Sequence, residues 1–136
     1  MKIDGSNMFG TIDIATSGLQ AFNRQMEVIG SNMANIQTTD AGNGEPYRRL
    51  IARFKAAEDG AGGVQIEELA KDSSPFKQVL MPGHPNADEN GYVAMPNVSW
   101  PTEMISLNTA SRAYQANATM LKRYQRMVES SLELLK

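Results

Sequence analysis

The loop around the single histidine of the chain carries the side chains best suited to bind a metal ion. His84 is followed by Asp88 and Glu89, which together offer one nitrogen and two oxygen ligands. The chain has no second histidine, and because it has no cysteine, thiolate metal sites and cysteine nucleophiles are excluded. The prolines that flank the histidine fit a rigid turn as well as a ligand cage. We therefore favour a loop with rigid turns at residues 81–98 over a metal site and predict neither a metal nor another cofactor.

A second pattern that could support chemistry is the S-x-x-K spacing of Ser74 and Lys77, which matches the nucleophile motif of serine acylases. The companion motifs S-D-N and K-T-G are missing, and Pro75 fits a helical nucleophile poorly. The stretch DGAGGV lacks both the spacing and the G-K-[ST] ending of a phosphate loop, which favours a turn. These patterns predict that the protein is not an enzyme and has no small-molecule substrate.

Composition and charge exclude further classes of function. The 136 residues include 13 basic and 15 acidic side chains, with a net charge of −2 and no basic run that could neutralise a row of phosphates, so we expect no nucleic-acid partner. No stretch approaches the roughly 20 apolar residues of a membrane span. The N-terminal region lacks the apolar core of a secretory signal, so we expect any export to proceed without a cleaved signal peptide.

Two long helices are predicted to frame the chain. The first carries an unbroken heptad stripe in which apolar residues alternate spacings of three and four, typical of a helix that packs against another helix. Its members are Ile12, Ala15, Leu19, Phe22, Met26, Ile29, Met33 and Ile36. A polar cluster surrounds Met33 and Ile36 at the end of this stripe, and its side chains can satisfy the carbonyls at the helix end, bond across a helix seam, or do both. Its members are Ser31, Asn32, Asn35, Gln37, Thr38 and Thr39.

The C-terminal helix is predicted to begin at Pro101 and Thr102, with the threonine as N-cap. It carries two adjacent stripes, which together make a face too wide for a single partner helix. The first comprises Met104, Leu107, Ser111, Tyr114, Ala118, Leu121, Gln125, Val128, Leu132 and Leu135; the second comprises Ala110, Ala113, Asn117, Met120, Tyr124, Met127, Ser131 and Leu134. We expect part of this face to lie in a compact bundle or to meet other molecules.

Between the helices, short strand patterns are predicted over residues 46–54, 63–69, 76–81 and 91–95, with DGAGG as a hairpin connection. The predicted fold is therefore mainly α with a small β-rich middle, in which paired long helices of coiled-coil type enclose a small β/loop module. Residues 1–37 and 102–136 form a discontinuous helical core domain in this prediction. Residues 38–101 form the module, which is too small to stand alone.

Three stretches resemble one known family, the rod and hook proteins of the bacterial flagellum. GSNMANIQTT, at residues 30–39, is similar to the S-N-x-A-N-x-x-T signature that ends the N-terminal helix of these proteins. SLNTASRAYQANATML, at 106–121, is similar to their C-terminal signature, and PGHPNADENGYVAMPNV, at 82–98, to a middle segment of one proximal-rod member. The chain departs from the family at Asp40, Ala41 and Gly42, where a T-G-Y-K-like ending is usual, and it lacks the large outer domains of hook-type relatives.

The resemblance implies a structural subunit whose terminal helices pair and stack with other copies and with other flagellar rod proteins to transmit motor torque. It also implies export through the flagellar type III apparatus and a place in the basal-body rod, which crosses the periplasm. The loop at 81–98 is then a docking element. The residues expected at assembly interfaces are Asn32, Asn35, Arg112, Tyr114, Asn117, His84, Tyr92 and Met95. A self-contained coiled-coil binding module stays open as the alternative.

Overall fold

Two long helices joined by four short strands make up the computed structural model, which describes residues 5–57 and 62–134. The elements are α1 (Gly5–Ala34), β1 (Leu50–Ala56), β2 (Val64–Lys71), β3 (Lys77–Leu80), β4 (Tyr92–Met95) and α2 (Trp100–Glu133). This order confirms the predicted pair of long helices around a small β-rich middle. The outermost ends of the predicted helices, including Leu135, and most of the DGAGG connection lie outside the described residues.

The end of α1 is closed by side chains of its own polar cluster. Asn35 Nδ2 donates a hydrogen bond to the carbonyl oxygen of Ser31 at 2.9 Å, and Thr38 Oγ1 donates to Asn35 Oδ1 at 3.1 Å. The Ser31 carbonyl oxygen also accepts from the Asn35 backbone amide at 3.1 Å, so the side chain adds a second hydrogen bond to the last turn of the helix. Of the two roles considered for the cluster, Asn35 therefore has the first in this structure: its side chain bonds to a carbonyl at the end of the helix.

The start of α2 differs from the prediction. The helix begins at Trp100 with Ser99 as the N-cap residue, and the Glu103 amide donates to the Ser99 carbonyl oxygen at 3.0 Å. The assignment of Thr102 as N-cap is therefore wrong, because the N-cap lies three residues earlier, at Ser99. Pro101 lies inside the first turn, where a missing N–H costs no helical hydrogen bond.

The two helices run antiparallel and pack closely along one seam. Asn32 bonds to Glu103 at one point, and fourteen residues away on each helix Gly18 lies against the side chain of Asn117. From Gly10 onward, the buried positions of α1 are Ala15, Gly18, Ala21, Val28, Ile29 and Asn32. This line runs mainly one residue before the predicted stripe, because small side chains let the helix axes approach while larger ones flank the contact.

On α2 the buried contacts with α1 belong to the first half of the second predicted stripe, whereas Met120 and Met127 further along that stripe are exposed. Ala110 is buried and Asn117 lies against α1, whereas Met104 and Tyr114 of the first stripe are exposed. The interpretation that α2 has more apolar surface than one helix can cover agrees with this arrangement. A substantial apolar surface of α2 stays uncovered within the single chain.

The strands form two separate antiparallel hairpins, β1–β2 and β3–β4. The first has a register shift between Arg53 and Phe54 and packs on α1, where the rings of Phe22 and Phe54 lie 5.6 Å apart. The second pairs Lys77 with Met95 at one end and Leu80 with Tyr92 at the other. All four predicted strand segments therefore overlap an observed strand.

Candidate assembly interface

The junction between the helices and the first hairpin is built around one buried amide. Asn32, with 1% of its surface exposed, donates from Nδ2 to the Leu50 carbonyl oxygen at 2.9 Å and to Glu103 Oε2 at 3.2 Å. Its Oδ1 accepts from the Leu50 amide at 2.9 Å and from the Tyr47 hydroxyl at 3.0 Å. All four hydrogen-bonding positions of the amide are used, so it ties β1 to both helices without an unpaired polar group.

Glu103 brings a charge into the same junction. Its side chain is fully buried, and Oε1 accepts a hydrogen bond from Arg49 Nε at 2.6 Å. Arg49 also reaches Asp72 Oδ2 at 3.4 Å. Burial alone would lower the pKa of Arg49, but the hydrogen bonds and charges of Glu103 and Asp72 outweigh it, so the pKa of Arg49 is raised. The guanidinium therefore stays charged and paired.

The outer rim of the junction fixes the chain on either side of the hairpins. The Arg49 amide donates to Asn97 Oδ1 at 2.8 Å, and Asn97 Nδ2 donates to the carbonyl oxygens of Asp72 and Ser74. The amide and hydroxyl of Ser74, followed by Arg49, hold the pKa of Asp72 below its usual value. The ends of β2 and β4 are thereby fastened to the beginning of β1.

Like Asn32, the other two predicted interface asparagines make their hydrogen bonds within the chain in this structure. Asn35 caps α1, and Asn117 Nδ2 donates to the Ala113 carbonyl oxygen within α2 at 2.9 Å. The Asn117 side chain fills the space beside Gly18, where an added β-carbon would lie 2.8 Å from Oδ1. Asn117 therefore occupies the helix seam, whereas Asn35 lies at a helix end.

Arg112 and Tyr114 lie on the exposed surface of α2. Apolar side chains accompany them along the helix, and the most exposed of these within its first two turns is Ile105, at 70%. The large exposed apolar residues of α2 and its C-cap are Trp100, Met104, Ile105, Tyr114, Met120, Met127, Leu132 and Leu134. We call this set the α2 outer surface; the single chain leaves these side chains exposed along the whole length of the helix.

The histidine loop is organised as a series of turns. His84 Nδ1 accepts a hydrogen bond from the Asn86 amide at 3.1 Å, and Asp88 Oδ1 accepts from the amides of Asn90 and Tyr92 at 2.9 and 2.8 Å. These ring and carboxylate atoms therefore stabilise backbone turns. Among residues 5–57 and 62–134, no group of three or more acidic or histidine side chains is arranged to hold a metal ion.

The second hairpin presents an apolar patch beside that loop. Leu80 and Tyr92 face each other across the strands and are 58% and 41% exposed, and Met95 is half-buried. Asn86 Nδ2 donates to Thr39 Oγ1 at 3.1 Å, which links the loop to the segment after α1. We call Leu80 and Tyr92 the hairpin patch.

Sequence reasoning missed Glu103, Arg49 and Tyr47. Charged residues near a helix start and a strand start are usually solvated, and nothing in their types distinguishes them. One signal was available, because Glu103 lies seven residues before Ala110 and fourteen before Asn117, in the phase of the second α2 stripe. A charge at a seam position indicates a buried partner.

Two family models match the chain, one at each end. The model described as flagella basal body rod protein matches residues 12–41, which include most of α1. The model described as flagellar basal body rod FlgEFG protein C-terminal matches residues 89–134, which include β4 and α2. Neither of the two helices, over the described residues, is long and apolar enough to cross a membrane.

Curated proteins match over almost the whole length. The chain is 38% identical over 131 residues to the flagellar basal-body rod protein FlgC of Yersinia enterocolitica, covering 94% of this chain and 98% of the relative. It is 34% identical to FlgC of Borreliella burgdorferi, with 94% and 97% covered. It is 33% identical to FlgC of Aquifex aeolicus, with 96% and 98% covered.

Proposed function

The chain belongs to the FlgC family of flagellar basal-body rod proteins, and from this membership we propose that it is a structural subunit of the rod in the bacterial flagellar basal body. The near-complete coverage in both directions carries this conclusion, because the helices and the module between them all find counterparts. The flagellar rod family is also the one that the two terminal signatures indicated.

The exposed apolar surfaces support assembly with other rod proteins and with further copies of the chain. The α2 outer surface and the hairpin patch leave large apolar side chains uncovered. Identical contacts repeated with a rotation that does not close produce a helical filament, which is the geometry a rod requires. In this proposal the shared contacts also transmit motor torque along the rod.

Within the subunit, we assign the helix pair to the polymerising core and the middle to docking. Residues 1–37 and 102–136 are the core, with coiled-coil packing between helices, and 38–101 are the module that carries the docking loop at 81–98. Arg112 and Tyr114 contribute to contacts on the α2 outer surface, and Tyr92, Met95 and His84 to contacts of the loop. Asn32, Asn35 and Asn117 act at these interfaces by holding the helix ends and seam in place.

No catalytic role is part of this function. Ser74 closes a turn, because its amide donates to Asp72 Oδ1 at 2.9 Å and its hydroxyl oxygen lies 3.0 Å from Asn97 Nδ2. The His84 ring and the Asp88 carboxylate are occupied by backbone amides. The function needs fixed geometry and many contacts, and it draws on no reactive side chain.

The location that follows is the basal body, with the subunit placed in the rod that crosses the periplasm. We propose that the subunit reaches it through the flagellar type III export apparatus, without cleavage of a signal peptide. Intact mass of the chain recovered from purified basal bodies tests this route, since removal of a signal peptide would shorten the N-terminus.

Electron microscopy of basal bodies tests the function directly. Deletion of the gene for this chain in its native bacterium should abolish swimming and leave basal bodies without a complete rod. A tagged copy of the gene should restore swimming and the complete rod, and the tag should label the rod. The alternative of a self-contained binding module predicts a closed, stable dimer in solution and complete rods in the deletion strain. Complete rods in that strain would refute the proposal.

A further inference from the structure

Apart from the fit of Asn117 against Gly18, the apolar part of the helix seam contains few features that define how far one helix is displaced along the other. The buried residues beside Gly18 and Ala110 are mostly small, and an alanine or glycine fits against another alanine in several registers. A displacement of seven residues, about 10 Å along the helix, brings one heptad position onto the next. The apolar seam alone therefore permits alternatives.

The buried polar junction differs from the rest of the seam, because its partners cannot be exchanged. Glu103 is fully buried and accepts from both Arg49 and Asn32, and a shift of either helix would leave its carboxylate without them. An uncompensated buried charge is strongly unfavourable. The loss of these partners at the junction therefore raises the free energy of each shifted register.

The same interaction contributes little to stability when it is compared with an apolar replacement. Moving the charges of Glu103 and Arg49 out of water costs much of what their attraction returns, and buried ion pairs have been replaced by apolar side chains without loss of stability. Specificity of register is then the property that the ion pair supplies.

We propose that the Glu103–Arg49–Asn32 cluster is a register lock, which selects one antiparallel alignment of α1 and α2 and sets the β1–β2 hairpin against it. The lock belongs to the isolated chain and does not depend on rod assembly. Its failure and the failure of the proposed function are therefore separate results.

The absence of cysteine makes the register directly measurable. A β-carbon added at Gly18 would lie 3.0 Å from Cγ of Asn117, within reach of a disulfide, so Gly18→Cys/Asn117→Cys reports the native register. Gly18→Cys/Ala110→Cys and Gly18→Cys/Tyr124→Cys, each combined with Asn117→Ala to remove the overlap with the new side chain at position 18, report displacements of seven residues in each direction. Those pairs are about 10 Å further apart along the native helix and cannot close.

The test compares an apolar replacement of the lock with a matched replacement on the surface. Arg49→Met/Glu103→Leu removes the buried ion pair. Arg53→Met/Glu68→Leu makes the same exchange in the exposed cross-strand pair of the β1–β2 hairpin, whose atoms lie 3.3 Å apart. Glu103→Gln, which keeps the size of the side chain, is the second lock variant for the case in which the apolar one does not fold.

Cross-linking yields in the purified, folded proteins decide the question. We expect the control to close only the 18/117 pair. The lock variants should retain helical circular dichroism and form shifted cross-links at least about tenfold more often than the control, equivalent to about 1.4 kcal/mol of lost register preference. If a folded lock variant closes only the 18/117 pair, the register lock is refuted.

Discussion

The roles of single polar residues in this chain depend on where the fold places them. Asn32 and Asn35 lie three residues apart in the same signature, yet one is saturated inside the molecule and the other caps a helix in a half-exposed position. Asp72 and Asp88 likewise bind backbone amides, but only Asp72 is joined to the buried junction through Arg49. Replacements at these positions should therefore have different consequences.

Asp72 should make stability depend on pH in the acid range. Its folded pKa lies below the ordinary value of 3.8, chiefly because of hydrogen bonds from Ser74. Its contribution is therefore complete above pH 3.8 and is lost as the pH falls from there through the lower folded pKa. Asp72→Asn should destabilise the protein at pH 7 and progressively less below pH 4. Urea unfolding at several pH values measures this, and a constant difference between the proteins would contradict it.

Tyr92 and His84 should differ in their importance for assembly. Tyr92→Ala removes a large side chain of the hairpin patch, which at an interface centre is worth about 2 kcal/mol or more. His84→Ala loses a turn hydrogen bond worth about 1 kcal/mol. The rod yield and the swimming-halo diameter should therefore fall further for Tyr92→Ala, with both variants secreted normally. The reverse order, with chelator reproducing the loss of His84, would support a metal site instead.

At the scale of elements, close approach at the seam determines which side of each helix is buried. Gly18 has the Asn117 side chain against it, whereas Gly30 has no atom within 4 Å of an added β-carbon. Both glycines lie inside α1, where alanine has the higher helix propensity. Comparing the replacement by alanine at the two glycines therefore isolates the effect of packing on the free energy of unfolding.

Gly30→Ala should stabilise the protein by up to about 1 kcal/mol through helix propensity. Gly18→Ala should instead destabilise it by about 1–3 kcal/mol, because the new methyl group overlaps Asn117. Gly18→Ala/Asn117→Ala should recover most of that loss. Thermal and urea unfolding of the three variants provide the comparison, and equal stabilisation by both single replacements would show that the seam is looser than the structure indicates.

The α2 outer surface can be tested with one exposed side chain. Ile105→Gln should change the free energy of unfolding by no more than about 0.5 kcal/mol, because 70% of the residue is already exposed. If the surface is covered in the rod, the same change should reduce rod yield and swimming. Ala116→Gln, at another exposed position of the helix, is the control for a new glutamine. Normal motility of the Ile105 variant would show that this part of α2 does not lie in a rod interface.

At the scale of the whole molecule, the β1–β2 hairpin depends on the helices for its support, and on α1 above all. The β1–β2 hairpin is held by Asn32, by the Phe22–Phe54 contact and by the Val64 amide, which donates to Ser17 Oγ at 3.1 Å. All four residues of β3 are exposed. A two-stranded hairpin is marginal in water without such support.

The excised segment of residues 38–98 should therefore be unfolded. It lacks both helices and with them the partners Asn32, Ser17 and Glu103. Circular dichroism and amide proton dispersion of the purified segment should resemble a disordered chain, whereas the intact protein should show dispersed strand resonances. A cooperative unfolding transition in the segment would contradict the dependence on the helices.

The sequence by itself determined the elements and the family. Heptad spacing predicted both long helices because helical periodicity is a local property, and alternating segments predicted all four strands for the same reason. The prolines of the His84 loop were compatible with a rigid turn, and its side chains stabilise backbone turns in the structure. The terminal signatures indicated a flagellar rod protein before any contact between elements was known.

The tertiary structure alone decided which stripe forms the seam and which charges are buried. Both α2 stripes satisfied the heptad pattern, and only the approach of α1 to Ala110 and Asn117 selected one of them. Arg49 and Glu103 are 54 positions apart, so no local pattern relates them. Burial and pairing are properties of residues that meet from distant parts of the chain, and for that reason the polar junction became visible only in the folded molecule.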